Sequence, residues 1–308
     1  MRGSRALRWP ERQPEGKVAS MSLLDRIHYC RRRDFGRFRR FVVAGLSVGW
    51  IAHGLADRLR GFPDVFAVSD DSVRVIDGLD TFASRSRAVG DAILRLREEG
   101  WFPGWRNEAF GVAPSYHAPP LLQIERGAAR SFGIRCYCVQ LNGIVDHGGE
   151  RQTWIARRSH TKPVGPGKLD QVVGGGVPVG VGLRDNLIKE CAEEASIPAA
   201  LARQAGAAGA VAYLTQDGDI CDDEVMFNYD LVLPPDFTPV NSDGEVAGFE
   251  LWPLARVKAV LADTDDFLFD VALSLVDFLI RQGVVGPSDP DYIEIAEGLW
   301  NTPEEDAA

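Results

Sequence analysis

The feature that most restricts this chain is a glycine loop running directly into an acidic helix. Gly174, Gly175 and Gly176 precede Val177-Pro178-Val179-Gly180, and Lys189-Glu190-Cys191-Ala192-Glu193-Glu194 follows in a stretch of helical character. Glu190, Glu193 and Glu194 stand at i, i+3 and i+4, a spacing that stacks three carboxylates on one helical face. Like charges so placed repel and weaken a bare helix. The pattern therefore points to a hard divalent cation bound through oxygen, Mg²⁺ first and Mn²⁺ as its substitute. A phosphate or diphosphate is the usual companion of such an ion. Glycines without a Cβ let the backbone come close to both. The competing reading is a solvated acidic face that holds nothing.

Gly175 to Ile197 resembles the Nudix box, G-x5-E-x7-R-E-U-x-E-E-x-G-U, with U a bulky apolar residue. Gly175 matches its glycine, Glu190, Glu193 and Glu194 its later glutamates, and Cys191 and Ile197 its apolar positions. Val181 stands at the first Glu, Lys189 at the Arg and Ser196 at the last Gly. Lysine keeps the charge but lacks the planar fork. The resemblance extends along roughly residues 25–300. It is carried by Trp105-Arg106-Asn107-Glu108, Ile124-Glu125-Arg126, Phe132-Gly133-Ile134, Trp154-Ile155-Ala156-Arg157-Arg158 and Gly167-Lys168-Leu169-Asp170. Phe227-Asn228-Tyr229-Asp230, Asp243-Gly244-Glu245-Val246 and Asp277-Phe278-Leu279-Ile280-Arg281 continue it. These segments are similar to the Nudix subfamily with an extra N-terminal domain of the DUF4743 type, which includes plant chloroplast Nudix hydrolases and the Nudix half of fungal thiamin pyrophosphokinase fusions. In that subfamily the first Glu is commonly missing.

The resemblance implies Mg²⁺-dependent hydrolysis of thiamin diphosphate, preferring its damaged oxy and oxo forms, to a monophosphate and phosphate. It implies Glu193 and Glu194 as metal ligands, and Glu190 as a ligand or the general base. Glu245 is the expected further ligand from a late loop, with Asp222, Asp223 and Glu224 as competitors. Leu268-Phe269-Asp270 departs from the Lys-Pro-Asn of relatives, which bears on substrate preference. A degenerate box also fits a non-catalytic sensor of a nucleotide or thiamin compound, or a hydrolase of another diphosphate.

A diphosphate needs cations beside it, and Arg157, Arg158, His160, Lys162 and Lys168 lie just upstream of the glycine loop. An arginine can grip a terminal phosphate at two points. Strand alternation lets only one of Arg157 and Arg158 face the site. Gly174, Gly175 and Gly176 complete the substrate-binding set, and Asp170 is expected to orient the loop. Trp101, Trp105 or Trp154 could stack on a heteroaromatic cation, although tryptophans are more often core.

Other chemistries fit less well. Gly45-Leu46-Ser47-Val48-Gly49 matches a nucleophile elbow, but only about forty residues precede Ser47 and no acid–His pair follows in order. Cys136 and Cys138 share a strand face without a second pair of zinc ligands, so buried thiols are expected. Isopentenyl diphosphate isomerase shares the Nudix scaffold but uses a cysteine where this chain has Asp170-Gln171-Val172-Val173-Gly174.

A chain of 308 residues with 45% hydrophobic and 25% charged residues has room for two domains. The net charge of −10 disfavours nucleic acid or an anionic membrane as a partner. A small-molecule diphosphate is the expected partner. Five irregularly spaced cysteines do not form a disulfide framework, so a reducing cytoplasm is expected. No apolar run is long enough to span a membrane. Residues 1–20 are Arg-rich without an apolar signal core; they read as a disordered extension, with a transit peptide as the alternative.

Residues 21–129 read as a small α+β domain. A basic, partly helical stretch runs to Arg39 and an apolar one from Phe41 to Gly49. Helices are expected over Ile51 to Arg60 and Ala88 to Glu99, the second ended by Gly100. Residues 130–285 read as the Nudix domain. Its first strands are joined by a hairpin containing Asn142-Gly143 and Gly148-Gly149. Strands follow at Ala210 to Leu214, Glu224 to Leu233 and Phe249 to Pro253, and one long helix covers Asp265 to Gln282. Residues 286–308 read as a loosely packed tail. The fold class is α/β (α+β): a helix–sheet–helix sandwich with a mixed sheet, preceded by the small domain. That domain either completes the substrate site, through Trp105 and the aromatic loop up to Tyr116, or supports a homodimer.

Overall fold

The structure, a computed structural model, describes residues 22–102 and 104–300; the extension expected over residues 1–20 lies outside them. In chain order the elements are α1 (Leu23–Tyr29), β1 (Phe38–Val43), β2 (Leu46–Ala52), α2 (His53–Leu59), β3 (Phe66–Val68), β4 (Ser72–Val75), α3 (Phe82–Glu98), β5 (Ala109–Val112), β6 (Leu122–Glu125) and α4 (Arg126–Ala129). There follow β7 (Arg135–His147), β8 (Glu150–Arg158), β9 (Leu169–Gln171), β10 (Val173–Gly176), α5 (Leu183–Ala195), α6 (Ala199–Ala202), β11 (Gly206–Asp217), β12 (Ile220–Val232), β13 (Val246–Pro253), α7 (Leu254–Asp263), α8 (Phe269–Arg281) and α9 (Tyr292–Trp300).

The first unit is built on a four-stranded sheet in the order β2-β1-β4-β3. Ala44 and Gly45 turn β1 into β2 with φ of 51° and 80°, a left-handed pair suited to a two-residue hairpin. The serine-hydrolase motif is thus a hairpin, with Ser47 exposed on β2. Strand β2 runs on to Ala52, so the helix expected from Ile51 starts at His53. Thr81 and Ser84 form a capping box for α3, which ends before Gly100 at φ 86°.

The second unit holds a mixed sheet in the order β11-β12-β7-β8-β13, with β10 paired to β7 and β9 to β8. Only β12 and β7, among these strand pairs, run parallel. Alternation along β7 sorts its side chains. Val139, Leu141 and Val145 pack with Leu187 and Cys191 of α5. Cys138 and Ile144 pack with Val257 of α7 and Val271 and Leu275 of α8. The sheet is therefore covered by helices on both faces, as the expected sandwich requires.

Three expectations about elements are corrected. Gly148 and Gly149, with φ of 60° and 85°, form the β7–β8 turn. Asn142-Gly143 lies within β7, where Asn142 donates to the Asp230 carboxylate at 2.8 Å. The helix expected over Asp265 to Gln282 is α8 and begins only at Phe269, because Leu169 bridges to Phe267 just before it; α7 precedes it as a separate helix that was not expected. The described part of the tail, up to Trp300, is not loose: Ile295 and Leu299 of α9 are buried with Leu23 and Ile27 of α1.

That last packing also moves α1. Leu23 and Ile27 join the α7–α8 core rather than the four-stranded unit. Buried Arg26 donates to the Leu261 carbonyl at 3.1 Å, and Thr215 Oγ1 to the Tyr29 carbonyl at 2.9 Å. A Cβ on Gly298 would meet Ile27 at 2.3 Å, so glycine lets α9 and α1 touch.

The two units meet backbone to backbone. Trp50 N donates to the Phe132 carbonyl at 3.1 Å and Val179 N to the Ala109 carbonyl at 2.9 Å. Gly49 and Gly133 face this junction, and a Cβ on either would lie within 2.4 Å of a carbonyl oxygen.

Candidate active site

Helix α5 owes its place to one buried stripe and one polar tie. Leu187, Cys191 and Ala195 repeat every four residues and are fully buried against the sheet, with Ile197 just beyond. Asn186 Nδ2 donates to the Gly176 carbonyl at 3.1 Å and fixes the glycine loop to the helix. Ser196 closes the helix at φ 52°, the left-handed position where glycine is favoured. Its hydroxyl donates to the Val240 carbonyl at 2.7 Å, which ties the helix end to the loop that precedes β13.

The three glutamates have different surroundings. Glu194 is buried and accepts from Gly174 N at 2.9 Å. Burial pushes its carboxyl up to about 8, even against that bond. Glu190 is buried, and burial raises its pKa although Lys189 opposes the shift from 3.0 Å. Glu193 is exposed, 3.2 Å from Lys189. Lysine in place of the box arginine thus clamps two of the triad. Gly175 has no room for a side chain, since a Cβ would come within 2.3 Å of the Glu190 carboxyl carbon.

The loop before β13 brings Glu245 to this helix. Carboxylate oxygens of Glu194, Asp243 and Glu245 lie within 4.8 Å of one another. Burial acts to raise the Glu245 pKa, but the hydrogen bond and charge of Lys162, with Arg106 and Arg126, outweigh it and hold the group below its ordinary value. Arg106 stands 3.6 Å from Glu245. A small cavity there is lined by Arg158, Lys162, Asp170, Glu194 and Glu245, among others. Oxygen donors of this kind suit a hard divalent cation, and cations beside them suit phosphate oxygens.

Of the two strand arginines, Arg158 faces the cavity, donating to Asp170 at 2.6 Å and to the Val164 carbonyl at 2.9 Å. Arg157 instead donates to the Gly167 carbonyl at 3.0 Å. Lys168 is turned away onto Asp265 at 2.9 Å and does not line the cavity. Gly174 and Gly176 leave space for Gln140 and for Phe110, which reaches across from the first unit. Trp105 lies under the Arg97 guanidinium, 4.3 Å from its ring centre, and bonds Asn107 at 2.8 Å. One of its faces is therefore taken. Tyr116 of the same loop packs on Tyr137 and Phe227, with ring centres 4.9 and 5.1 Å away.

The competing acids are otherwise engaged. Asp222 pairs with Arg130, Asp223 with Arg135 at 2.9 Å, and Glu224 accepts from the Tyr213 hydroxyl at 2.9 Å. Asn228, Asp230, Asp277 and Arg281, all within the shared segments, form a polar network that ties α8 to β12. All five cysteines are free and buried. Asp243 and Arg106 were not singled out from the sequence. Both lie inside shared segments, but only folding brings them to Glu194.

Residues 22–136 match the family described as Domain of unknown function (DUF4743). Over 94% of its length the chain is 40% identical to Nudix hydrolase 24, chloroplastic, of Arabidopsis thaliana, covering 80% of that protein. Nudix hydrolase 20, chloroplastic, of the same plant is also 40% identical, over 90% of this chain and 77% of that one. Among solved structures, DR0079 from Deinococcus radiodurans is 24% identical over 57% of this chain and 98% of that one, with a TM-score of 0.40. No described helix is long and apolar enough to cross a membrane.

Proposed function

This chain belongs to the Nudix hydrolase family, and from that premise we propose that it cleaves an organic diphosphate, with thiamin diphosphate or its damaged oxy and oxo analogues as the substrate class. The observation that carries the reading is the convergence of Glu194 with Asp243 and Glu245 from a distant loop, flanked by Lys162 and Arg106. Glu194, Asp243 and Glu245, with Glu190 and Glu193 on the same helix, would hold Mg²⁺ or Mn²⁺. Such an ion neutralises phosphate oxygens and helps water ionise.

The chain's own residues do the rest. Lys162 and Arg106 are positioned to exchange the Glu245 carboxylate for phosphate oxygens, Arg106 through its two-pronged guanidinium. Arg158 holds Asp170 and shapes the wall. Glu190, with its pKa raised by burial, is the proposed general base, since a base nearer neutrality takes a proton from water more readily. The first unit supplies Arg106 directly and the Trp105 loop for the organic half. The five buried free thiols favour a reducing compartment.

The test is phosphate release by the full chain with Mg²⁺ or Mn²⁺, across thiamin, oxythiamin, nucleoside and sugar diphosphates. Metal-dependent turnover of a thiamin-class compound is expected. Preference for a nucleotide would overturn the thiamin assignment alone. Binding without turnover of any member would make the protein a sensor.

A further inference from the structure

Both oxygens of the Glu245 carboxylate already face a cation. Lys162 Nζ donates to Oε2, and Arg106 Nη1 stands 3.6 Å from Oε1. The same carboxylate completes the acidic group with Glu194 and Asp243, whose oxygens lie within 4.8 Å of one another. A metal ion held by these acids and the Lys162 ammonium therefore compete for one carboxylate.

The competition is built into the backbone. Ser159 N donates to the Glu245 carbonyl at 2.8 Å, and Lys162 N donates to the Ser159 carbonyl at 3.2 Å. One turn thus leads from the main chain of Glu245 to the lysine that meets its side chain. Asp243 Oδ1 accepts from Glu245 N at 2.8 Å and from Asn241 Nδ2 at 2.7 Å, and Gly244 N donates to Asn241 Oδ1 at 2.7 Å. These bonds hold the two acids in one turn, through Gly244 at φ 81°.

The two cations differ in their freedom to leave. The Arg106 side chain is 34% exposed, whereas that of Lys162 is 12% exposed and lines the small cavity with Arg158 and Glu194. An enclosed ammonium that loses its anion has little water to replace it. A dication on Glu245 would also repel it. Metal alone therefore meets a resident positive charge. Metal arriving with a diphosphate does not, because phosphate oxygens take up the ammonium that the metal displaces.

We propose that Lys162 is a resident counter-ion that holds Glu245 in the metal-free protein and couples metal entry to diphosphate binding. The inference rests on the metal site proposed above and adds its regulation: affinity for the metal stays low until a diphosphate is there to receive the lysine. Such coupling is reciprocal, so the metal also tightens the diphosphate. Removing Lys162 should then move the two affinities in opposite directions. A lysine that only supported the loop would weaken both when removed.

Calorimetric titration of the full chain with Mn²⁺, then of the Mn²⁺-loaded chain with methylenediphosphonate, tests this without turnover. Salt at about 0.15 M screens distant charges beyond roughly 8 Å. Lys162→Met keeps the aliphatic stem and removes the charge. It is expected to bind Mn²⁺ alone about tenfold tighter than the parent, and methylenediphosphonate about tenfold more weakly. Lys162→Gln gives the same reading should the Met variant fail to fold. Lys162→Arg keeps the charge and should bind Mn²⁺ as the parent does. Lys168→Met, whose ammonium is turned onto Asp265, should match the parent in both titrations. Mn²⁺ affinity unchanged or weakened in the folded Lys162 variant, tightened equally in Lys168→Met, or methylenediphosphonate affinity unmoved, would overturn the coupling and leave the metal site standing. A parent that binds no Mn²⁺, with or without methylenediphosphonate, would overturn both.

Discussion

Glu194 is buried at the end of α5, and burial holds its proton up to about pH 8 instead of an ordinary 4.5. The native state therefore binds more protons than the unfolded chain across that window, and this group's contribution to stability falls as pH rises through it. Glu194→Gln should end the fall: without metal, the variant melts higher than the parent at pH 8 and nearly level with it at pH 4. Mg²⁺ should raise the parent and not the variant, because only the parent gains a ligand by losing the proton. Turnover should drop by roughly 10²-fold or more in Glu194→Gln and in Glu193→Gln. Unchanged activity in both would place the metal elsewhere. Gly175→Ala is expected to cost as much, because its methyl would displace Glu190. The triad was legible because one helix carries it and helical spacing is readable from sequence. Asp243 and Arg106 were not, because their place depends on where a loop returns and on how the first unit docks. Lys168 misled for the same reason: its neighbour in space, Asp265, is ninety-seven residues away.

Elements could be read where a local rule set them. Gly100 after α3, the alternation of β8 and β12, and the Gly148-Gly149 turn all follow from short-range stereochemistry. Asn142-Gly143 failed as a turn because tertiary pairing wins over dipeptide preference: Gly143 lies across from Leu231 of β12, and a Cβ there would meet Leu233 at 2.9 Å. Helix α8 was legible from its apolar run, but its start at Phe269 rather than Asp265 was not, because the bridge from Leu169 to Phe267 is announced by no local pattern. Within α3, Gly90 has open space around its Cα. Gly90→Ala should stabilise the protein by about 1 kcal/mol in urea titration without altering kinetics. A loss of stability would mean that α3 meets a surface there. On β12, burial and the nearby Asp270 raise the Glu224 pKa. Glu224→Gln keeps an acceptor for Tyr213 and should lessen the decline of melting temperature above neutral pH.

The first unit reaches the acidic cavity through Arg106 and leans on the glycine loop through Phe110. Arg106→Gln is expected to raise KM for the diphosphate about tenfold with a smaller change in kcat. Trp105→Ala should also raise KM more than it lowers kcat if the free face of the ring meets the organic half. Unchanged kinetics in both, in folded protein, would leave packing or dimerisation as the unit's role. From sequence, residues 130–285 read as the Nudix domain, yet helix α1, near the start of the chain, completes a core with α8 and α9 near its end. This closure sets an order of events during synthesis. Helix α1 leaves the ribosome while its partners α8 and α9 are still unmade. Leu23 and Ile27 then lack these partners until α8 and α9 have emerged, and contacts spanning such a separation form slowly. Of the described helices, the first and the last are thus joined by a seam that cannot close until α9 has been made.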